Sequence, residues 1–258
     1  MHTAEINRNN PALLLFLIDC SYSMSEKYAD TGLTKGEYLA KITNESIDQV
    51  ILSCEKGDEI RAYFEIGVIG YGDAVEEILP IQTVIDLANS PKKMVKKEMD
   101  GIEIQAPIWL EDPTREVNTD MQKGFARARE ILNGWCLDHK ASFPPVLIHV
   151  SDGKWTEGSP VTMAQEMQQD VYTDDGPAII MNIHISQSGD PLTFPDAEPT
   201  GDEHMTGLFQ MSSVLPDSFL DRAKEKYPGV APGARGYMFN ANPDDLSKFF
   251  DIGTRLRG

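Results

Sequence analysis

The sequence has few cysteines, and no pattern in it indicates that they pair. The three cysteines, Cys20, Cys54 and Cys136, are widely spaced, and no C-x-x-C motif is present. An odd and dispersed set argues against a disulfide framework and is typical of reduced thiols. We therefore expect a cytoplasmic protein.

Long hydrophobic runs are also missing. The apolar stretch at 12–18 is far shorter than the ~20 residues that span a bilayer. The letters LIDC at 17–20 superficially resemble a lipobox, but Glu5 and Arg8 lie upstream, and Asp19 stands where a small residue is expected before the cysteine. We therefore expect neither a signal segment nor a membrane partner.

Basic residues are scarce relative to acidic ones. Lys and Arg number 23 against 41 Asp and Glu, which gives a net charge of −18. Such a chain repels phosphate backbones and anionic lipid surfaces, so a nucleic-acid partner is not expected. The acidity serves solubility, or it attracts cations or basic partners. The 41% hydrophobic and 25% charged content is otherwise ordinary for a globular protein.

Several enzyme signatures are absent. No G-x-S-x-G elbow occurs, and the glycines of GVIGYG at 67–72 fit neither G-x-G-x-x-G nor a G-K-[ST] ending. A phosphatase that uses Asp19 as nucleophile would need a second acid two residues on, where Ser21 stands. His149 and His184 lack a third zinc ligand at suggestive spacing, so we interpret them as packed strand histidines.

Predicted strands and helices alternate along most of the chain. Apolar strands are predicted at 12–18, 60–72, 74–80, 144–153, 178–186 and 234–241, and helices at 35–54, 120–134, 162–172 and from Pro243 onward, with Asn242 as N-cap. This order predicts an α/β fold whose mostly parallel sheet is covered by helices on both faces. We expect a single domain over 1–258, with a hairpin-like insertion near 84–113 and a long decorated connection near 187–234 that holds a short helix near 216–226.

Polar side chains follow two of the predicted strands. LLLFLIDCSYSM at 13–24 ends a buried strand on Asp19 and places Ser21 and Ser23 at alternate positions, and PPVLIHVSDG at 144–153 ends on Asp152. In open α/β sheets, ligands lie outside the carboxyl ends of the strands where the strand order reverses. If the two strands are neighbours, both carboxylates face one crevice. Thr119 offers a fifth oxygen before the helix at 120.

The five side chains make a donor set of hard oxygens without sulfur or imidazole. Carboxylates and hydroxyls suit Mg²⁺, Mn²⁺ or Ca²⁺ better than zinc. An octahedral Mg²⁺ would keep at least one position open to water or to a carboxylate from outside. The pattern favours a metal-bridged binding site over a buried structural ion.

These motifs resemble the metal-ion-dependent adhesion site (MIDAS) of von Willebrand factor A domains. The resemblance rests on D-x-S-x-S at 19–23, on NTDMQKGFARARE at 118–130 and on VLIHVSDG at 146–153, and it extends over nearly the whole chain. It implies a Rossmann-like fold, hydroxyl ligands from Ser21, Ser23 and Thr119, and an ion held directly or through water by Asp19 and Asp152. Two residues depart from the pattern, because Tyr22 and Asn118 stand where glycine is frequent; Tyr22 is expected to shape or partly cover the mouth of the site.

The resemblance also implies a function. Most members of the family bind proteins rather than catalyse reactions. The insertion and the long connection are similar to those of small bacterial cytoplasmic members from tellurite-resistance, stress and phage-defence clusters, which are linked with a Ser/Thr kinase and a PP2C-type phosphatase. We therefore expect a non-enzymatic, metal-dependent module that binds an Asp or Glu of a partner, such as a component of a kinase and phosphatase system.

Two alternatives stay open at this point. A Mg²⁺-dependent hydrolase or phosphatase would need a general acid or base near the ion, and His149 is its candidate. A scaffold whose metal site is vestigial or structural would bind its partners without the ion.

Overall fold

A seven-stranded sheet runs through the centre of the computed structural model, which describes residues 2–99, 101–115, 118–153, 155–185 and 190–255. The strands are β1 (Ala12–Asp19), β2 (Glu55–Lys56), β3 (Glu59–Ile60), β4 (Phe64–Tyr71), β5 (Val75–Thr83), β6 (Lys93–Met99), β7 (Ile102–Ile108), β8 (Val146–Ser151), β9 (Tyr172–Thr173), β10 (Gly176–Pro177), β11 (Ile179–Ile185), β12 (Leu192–Thr193) and β13 (Tyr237–Ala241). The helices are α1 (Lys35–Ser53), α2 (Val84–Asn89), α3 (Met121–Asp138), α4 (Val161–Asp170), α5 (Glu203–Met211), α6 (Asp217–Lys226) and α7 (Pro243–Thr254).

The strand order of the sheet is β12-β13-β11-β8-β1-β4-β5. The five strands from β13 to β4 are mutually parallel, and β12 and β5 pair antiparallel at the two edges. The remaining strands form three separate two-stranded hairpins. The predicted α/β class with a mostly parallel sheet is therefore confirmed.

Strand β1 is buried on both faces, which explains its continuous apolar sequence. Leu13, Leu15 and Leu17 join the core formed with α3, α4 and α5. The alternate residues Leu14 and Phe16 join the core formed with α1, α2, α6 and α7. Helices thus cover both faces of the sheet, as the sequence predicts.

Local capping sets the starts of the two long helices on one face. Thr34 and Glu37 form a reciprocal capping box at the start of α1. The Asn242 side chain accepts hydrogen bonds from the backbone N–H groups of Asp244 and Asp245, and Pro243 occupies the first turn of α7. The prediction of Asn242 as N-cap is confirmed.

Several predicted boundaries are wrong. The strand predicted at 60–72 is divided, because Glu59–Ile60 pairs in a hairpin and β4 of the central sheet begins at Phe64. The third strand does not end at Pro80, because β5 continues to Thr83. Its antiparallel pairing with β4 shifts register between Leu79 and Gln82, so Pro80 lies at an irregularity of an edge strand, where a missing N–H is tolerated. Helix α3 does not end at Gly134 but continues to Asp138, because an exposed glycine lowers helix stability without stopping the helix.

The predicted insertion near 84–113 contains α2 and the β6–β7 hairpin, while Asp100 lies outside the described residues. The Asn44 side chain in α1 accepts hydrogen bonds from the backbone N–H groups of Trp109 and Leu110 and donates one to the Leu110 carbonyl. This clamp fixes the segment that follows the hairpin to α1. The single-domain organisation of the chain stays a prediction.

The connection near 187–234 is more ordered than the sequence predicts. Helix α6 matches the expected helix near 216–226, but α5 is additional, and residues 187–189 lie outside the described residues. Gly207 lies in α5, where a Cβ atom would approach the Trp155 ring to 2.6 Å. The glycine therefore lets the Trp155 ring pack closely against α5. No helix in the described ranges is long and apolar enough to cross a membrane.

Candidate metal centre

The strand order reverses at β1. The chain leaves β1 for β4 on one side and returns through α3 to β8 on the other side, so β1 and β8 are parallel neighbours with Ile18 opposite Val150. The end of β1 at Asp19 therefore lies beside Ser151 and Asp152 at the end of β8. This is the crevice at which open α/β sheets bind ligands.

The loop after β1 folds back on its own aspartate. The Ser21 backbone N–H donates to Asp19 Oδ1 at 2.8 Å, as in an Asx turn. The loop continues as a short 3-10 helix, Tyr22–Ser25, in which the Met24 N–H donates to the Ser21 carbonyl at 3.1 Å. The Ser21 and Ser23 hydroxyl oxygens lie 3.1 Å apart.

Asp152 is joined by a hydrogen bond to the Ser23 hydroxyl and, through it, to the Ser21 hydroxyl. Ser23 Oγ donates to Asp152 Oδ1 at 2.7 Å. Because the Ser23 proton is used in that bond, Ser21 is the donor in its contact with Ser23. The structure thus brings Asp19, Ser21, Ser23 and Asp152 together through consecutive hydrogen bonds.

Asp19 is a fully buried carboxylate with hydrogen-bond donors around it. Ser21 N–H contacts one of its oxygens, and the Ser151 hydroxyl lies 3.2 Å from the other. Burial raises the pKa of Asp19 from 3.8 to about 6, with a smaller push from the Asp152 charge, although the Ser21 hydrogen bonds oppose the shift. Within the part of the chain that the structure describes, no cationic side chain pairs with Asp19.

Thr119 lies at the same edge of the sheet. The neighbouring Asp120 N–H donates to the Gly72 carbonyl, directly after the β4 residue that pairs with Asp19. Thr119 is 7% exposed, and its carbonyl accepts from the Thr156 hydroxyl at 2.8 Å. Across the described ranges, no hydrogen bond links the Thr119 hydroxyl to the other four side chains. Its membership in the site stays a prediction.

Lys35 also belongs to this edge, and the sequence reasoning missed it. Its Nζ atom lies 2.6 Å from Asp152 Oδ2 and 2.8 Å from Glu26 Oε2, and the residue is 5% exposed. Burial opposes its charge, but the hydrogen bonds to Asp152 and Glu26 outweigh burial and raise the pKa of Lys35. No sequence signal marks it, because it is an ordinary lysine at the start of an amphipathic helix.

Two residues of the loop, Tyr22 and Cys20, are solvated and buried respectively. Tyr22 is 63% exposed, so it borders the site without closing it. Cys20 is buried against Gly70, and burial raises the pKa of its thiol to about 12. A buried thiol with a raised pKa has little thiolate character, so Cys20 acts as a packed side chain of the loop.

The two strand histidines, His149 and His184, have different hydrogen-bond partners. His149 is fully buried between the Tyr71 hydroxyl at 2.9 Å from Nε2 and Asn182 Oδ1 at 2.8 Å from Nδ1. Because that amide oxygen can only accept, Nδ1 carries the proton, and burial lowers the pKa of His149 to about 4. His184 accepts instead from the Asn240 N–H and stacks on Phe239.

The donor chemistry fits a hard divalent cation. In the described part of the chain, no group of three or more His, Cys, Asp or Glu side chains is placed to hold a metal ion. The candidate site is of a different kind, because three of its five predicted donors are hydroxyls. Two carboxylates and two serines are connected by hydrogen bonds at this edge of the sheet, and no cation among the described residues pairs with the buried Asp19. Oxygen ligands of this type suit Mg²⁺, Mn²⁺ or Ca²⁺.

No protein-family model matches this sequence, and no curated protein matches it. Solved structures match it by fold. Proximal thread matrix protein 1 from the mussel byssus, with a zinc-occupied MIDAS motif, aligns with a TM-score of 0.53 at 17% identity, over 97% of this chain and 48% of that one. A von Willebrand factor type A structure from Catenulispora acidiphila aligns with a TM-score of 0.50 at 13% identity, over 95% and 42%.

The chain spans about half the length of the mussel-byssus protein and 42% of the Catenulispora chain. At these identities the likeness concerns the fold alone. Together with the mostly parallel sheet and its helices on both faces, it shows that this chain has the fold of a von Willebrand factor A domain.

Proposed function

We propose that this chain is a metal-dependent protein-binding module in which a divalent cation at the carboxyl edge of the sheet binds a carboxylate of a partner protein. The observation that carries the proposal lies at the reversal of strand order. There the Ser21 backbone N–H donates to the Asp19 carboxylate, and the Ser21 hydroxyl is linked through Ser23 to the Asp152 carboxylate. A similar fold with a zinc-occupied MIDAS motif supports metal binding in general. The all-oxygen donor set favours Mg²⁺, with Mn²⁺ or Ca²⁺ as alternatives.

Each ligand has a role that its chemistry allows. Asp19 and Asp152 supply two negative charges, which balance a divalent cation, and Ser21, Ser23 and Thr119 supply neutral hydroxyls. A further carboxylate from a partner's Asp or Glu would then occupy an open position. Tyr22, exposed beside Ser21, offers an aromatic rim for the partner to pack against.

The hydrolase alternative loses its candidate base. His149 is fully buried, with both ring nitrogens engaged by Tyr71 and Asn182. It therefore has no free nitrogen to activate a water molecule near the ion. A non-catalytic role is part of the proposal.

The wider context of the proposal rests on the sequence alone. A partner from a kinase and phosphatase system, within a bacterial stress or defence response in the cytoplasm, is proposed from the family resemblance. The three buried, free cysteines agree with a reducing compartment.

Calorimetric titration of Mg²⁺ and Mn²⁺ into chelator-treated protein tests the site. We expect saturable binding at one site in the wild type and none in Asp19→Ala. Asp30→Ala, which removes an exposed carboxylate elsewhere in the loop region, is the matched control and should bind as the wild type does. Equal binding by Asp19→Ala and the wild type would place the ion elsewhere.

Water-proton relaxation of the Mn²⁺-loaded protein tests the open position. A coordinated, exchangeable water enhances relaxation, and acetate, as a carboxylate probe, should reduce the enhancement by displacing it. A bound Mn²⁺ without exchangeable water would indicate a closed structural ion. Partner capture with and without chelator then tests the function, and partner binding that survives the chelator, Asp19→Ala and Asp152→Ala would overturn the proposal.

A further inference from the structure

Two features of its position, burial and the start of a helix, disfavour a positive charge on Lys35. It is 5% exposed, so its ammonium group has lost most of its contact with water. It is also the first residue of α1, where the backbone N–H groups point outward and the positive end of the helix dipole repels cations. A lysine that stays charged at this place needs close negative partners.

Asp152 is the main partner of Lys35. The Lys35 ammonium contacts Asp152 Oδ2 at 2.6 Å, and the Asp152 side chain is 0% exposed, so this ion pair is screened little by water. Glu26 contacts the same ammonium at 2.8 Å, but its side chain is 62% exposed, and its charge is therefore partly screened. The Lys35 N–H also donates to the Glu26 carbonyl, which fixes the end of the loop to the start of the helix.

Both oxygens of Asp152 are therefore committed. Oδ1 accepts from Ser23, on the side of the other proposed ligands, and Oδ2 accepts from Lys35. The Asp152 carboxylate thus lies between the Lys35 ammonium and Ser23, one of the other proposed metal ligands.

We propose that Lys35 is a built-in counter-cation that weakens divalent metal binding by the isolated protein and makes tight binding depend on the carboxylate of the partner. This inference rests on the proposed function. Like charges repel most strongly where water is excluded, so the ammonium opposes a divalent ion beside Asp152. With the ion bound, the two aspartates balance the ion. The Lys35 charge, which the exposed Glu26 offsets in part, then leaves the site attractive to one more carboxylate.

The substitution Lys35→Met tests this by removing the charge and keeping the length of the side chain. In calorimetric titrations with Mn²⁺ alone, we expect Lys35→Met to bind about tenfold or more tightly than the wild type, because a repulsive charge near the ion is gone. Saturating acetate should tighten Mn²⁺ binding by a larger factor in the wild type than in Lys35→Met. Lys41→Met, on an exposed position of the same helix, should match the wild type in both titrations.

A second measurement follows the metal-free protein. In chelator, Lys35→Met should melt at a lower temperature than the wild type, because it leaves Asp152 buried without its counter-ion, and Mn²⁺ should raise its melting temperature by more than it raises that of the wild type. Should Lys35→Met not fold, Lys35→Gln, which keeps a hydrogen-bond donor for Asp152, gives the same test.

The outcomes separate the inference from the proposed function. If the wild type binds Mn²⁺ and Lys35→Met binds it equally or more weakly, Lys35 is an ordinary structural ion pair, and this inference alone is overturned. If neither protein binds Mn²⁺ with or without acetate, the metal site and the inference both fail.

Discussion

Ser23 Oγ donates a 2.7 Å hydrogen bond to Asp152 Oδ1 and thereby joins two segments 129 residues apart in the chain. The bond links the loop after β1 to the end of β8, the two elements between which the strand order reverses. The serine loop and the second aspartate are therefore one unit before any ion is added. A site preorganised in this way loses little conformational freedom when it binds.

Replacing Ser23 should weaken the metal site more than the fold. Ser23→Ala removes a hydroxyl donor and the link to Asp152, so we expect Mn²⁺ affinity to fall about tenfold and the free energy of unfolding to fall by about 1 kcal/mol. Calorimetry and urea denaturation measure the two effects. Ser25→Ala, an exposed serine of the same short helix, should change neither, and unaltered Mn²⁺ affinity in Ser23→Ala would remove Ser23 from the ligand set.

The buried carboxylate of Asp19 should make the stability of the chelator-treated protein depend on pH. Its pKa is raised from 3.8 to about 6 by burial, so the folded state binds the proton more tightly than the unfolded state does. The stabilisation from this proton is complete below pH 3.8 and is lost as the pH rises through about 6. Over the whole transition, from well below pH 3.8 to well above pH 6, the loss amounts to about 3 kcal/mol.

Comparison with Asp19→Asn isolates this group from the other titrating residues. The free energy of unfolding of the wild type, minus that of Asp19→Asn, should fall by about 2.4 kcal/mol between pH 4 and pH 7 in chelator. Saturating Mg²⁺ should stabilise the wild type more at pH 7 than at pH 5, because protons compete with the ion for Asp19. A difference that does not vary with pH would show that Asp19 has an ordinary pKa.

The sequence predicts those parts of the site that local pattern determines. The sequence shows directly that two apolar strands are followed by Asp19 and Asp152. The alternation of helices and strands predicts a parallel sheet, which places both strand ends at one edge. The sequence does not predict the role of Lys35, because its burial and its pairing with Asp152 arise from tertiary packing across the sheet edge. Thr119 is recognisable as a residue that precedes a helix, but its predicted place among the ligands depends on side-chain geometry that sequence does not contain.

The errors in the fold predicted from the sequence also arise from tertiary structure. Helix α5 is not predicted from the sequence, and it contains Gly207, a residue type that lowers helix stability; there the glycine lets Trp155 pack against the helix. Pro80 reads as the end of a strand, yet an edge strand tolerates it. In both cases the position of the residue in the tertiary structure outweighs its local conformational preference.

Asn44 should control the attachment of the β6–β7 hairpin. Asn44→Ala removes the partners of two buried backbone N–H groups, those of Trp109 and Leu110, and should lower the free energy of unfolding by about 3 kcal/mol. Urea denaturation measures the loss, and hydrogen exchange should increase more in β7 than in β1. Asn89→Ala, at an exposed asparagine, is the control. A loss below 1 kcal/mol would mean that water replaces the clamp.

Two glycines of α3 should respond to the same substitution with opposite signs. A Cβ atom on Gly124 would lie 2.9 Å from the Tyr71 ring, which is fully buried and hydrogen-bonded to His149, whereas nothing lies within 4 Å of a Cβ atom on Gly134. Gly124→Ala should therefore destabilise the protein by about 2 kcal/mol through overpacking. Gly134→Ala should stabilise it by about 1 kcal/mol, because alanine favours the helix.

Urea denaturation of both variants measures these changes, and each serves as the control for the other because both carry the same substitution in one helix. Helix α3 follows Thr119 directly, so a displacement of Tyr71 by Gly124→Ala should also weaken Mn²⁺ binding, whereas Gly134→Ala should leave it unchanged. Stabilisation by both substitutions would show that α3 has room to move away from β4, and that the edge of the sheet at Thr119 is less rigid than its packing indicates.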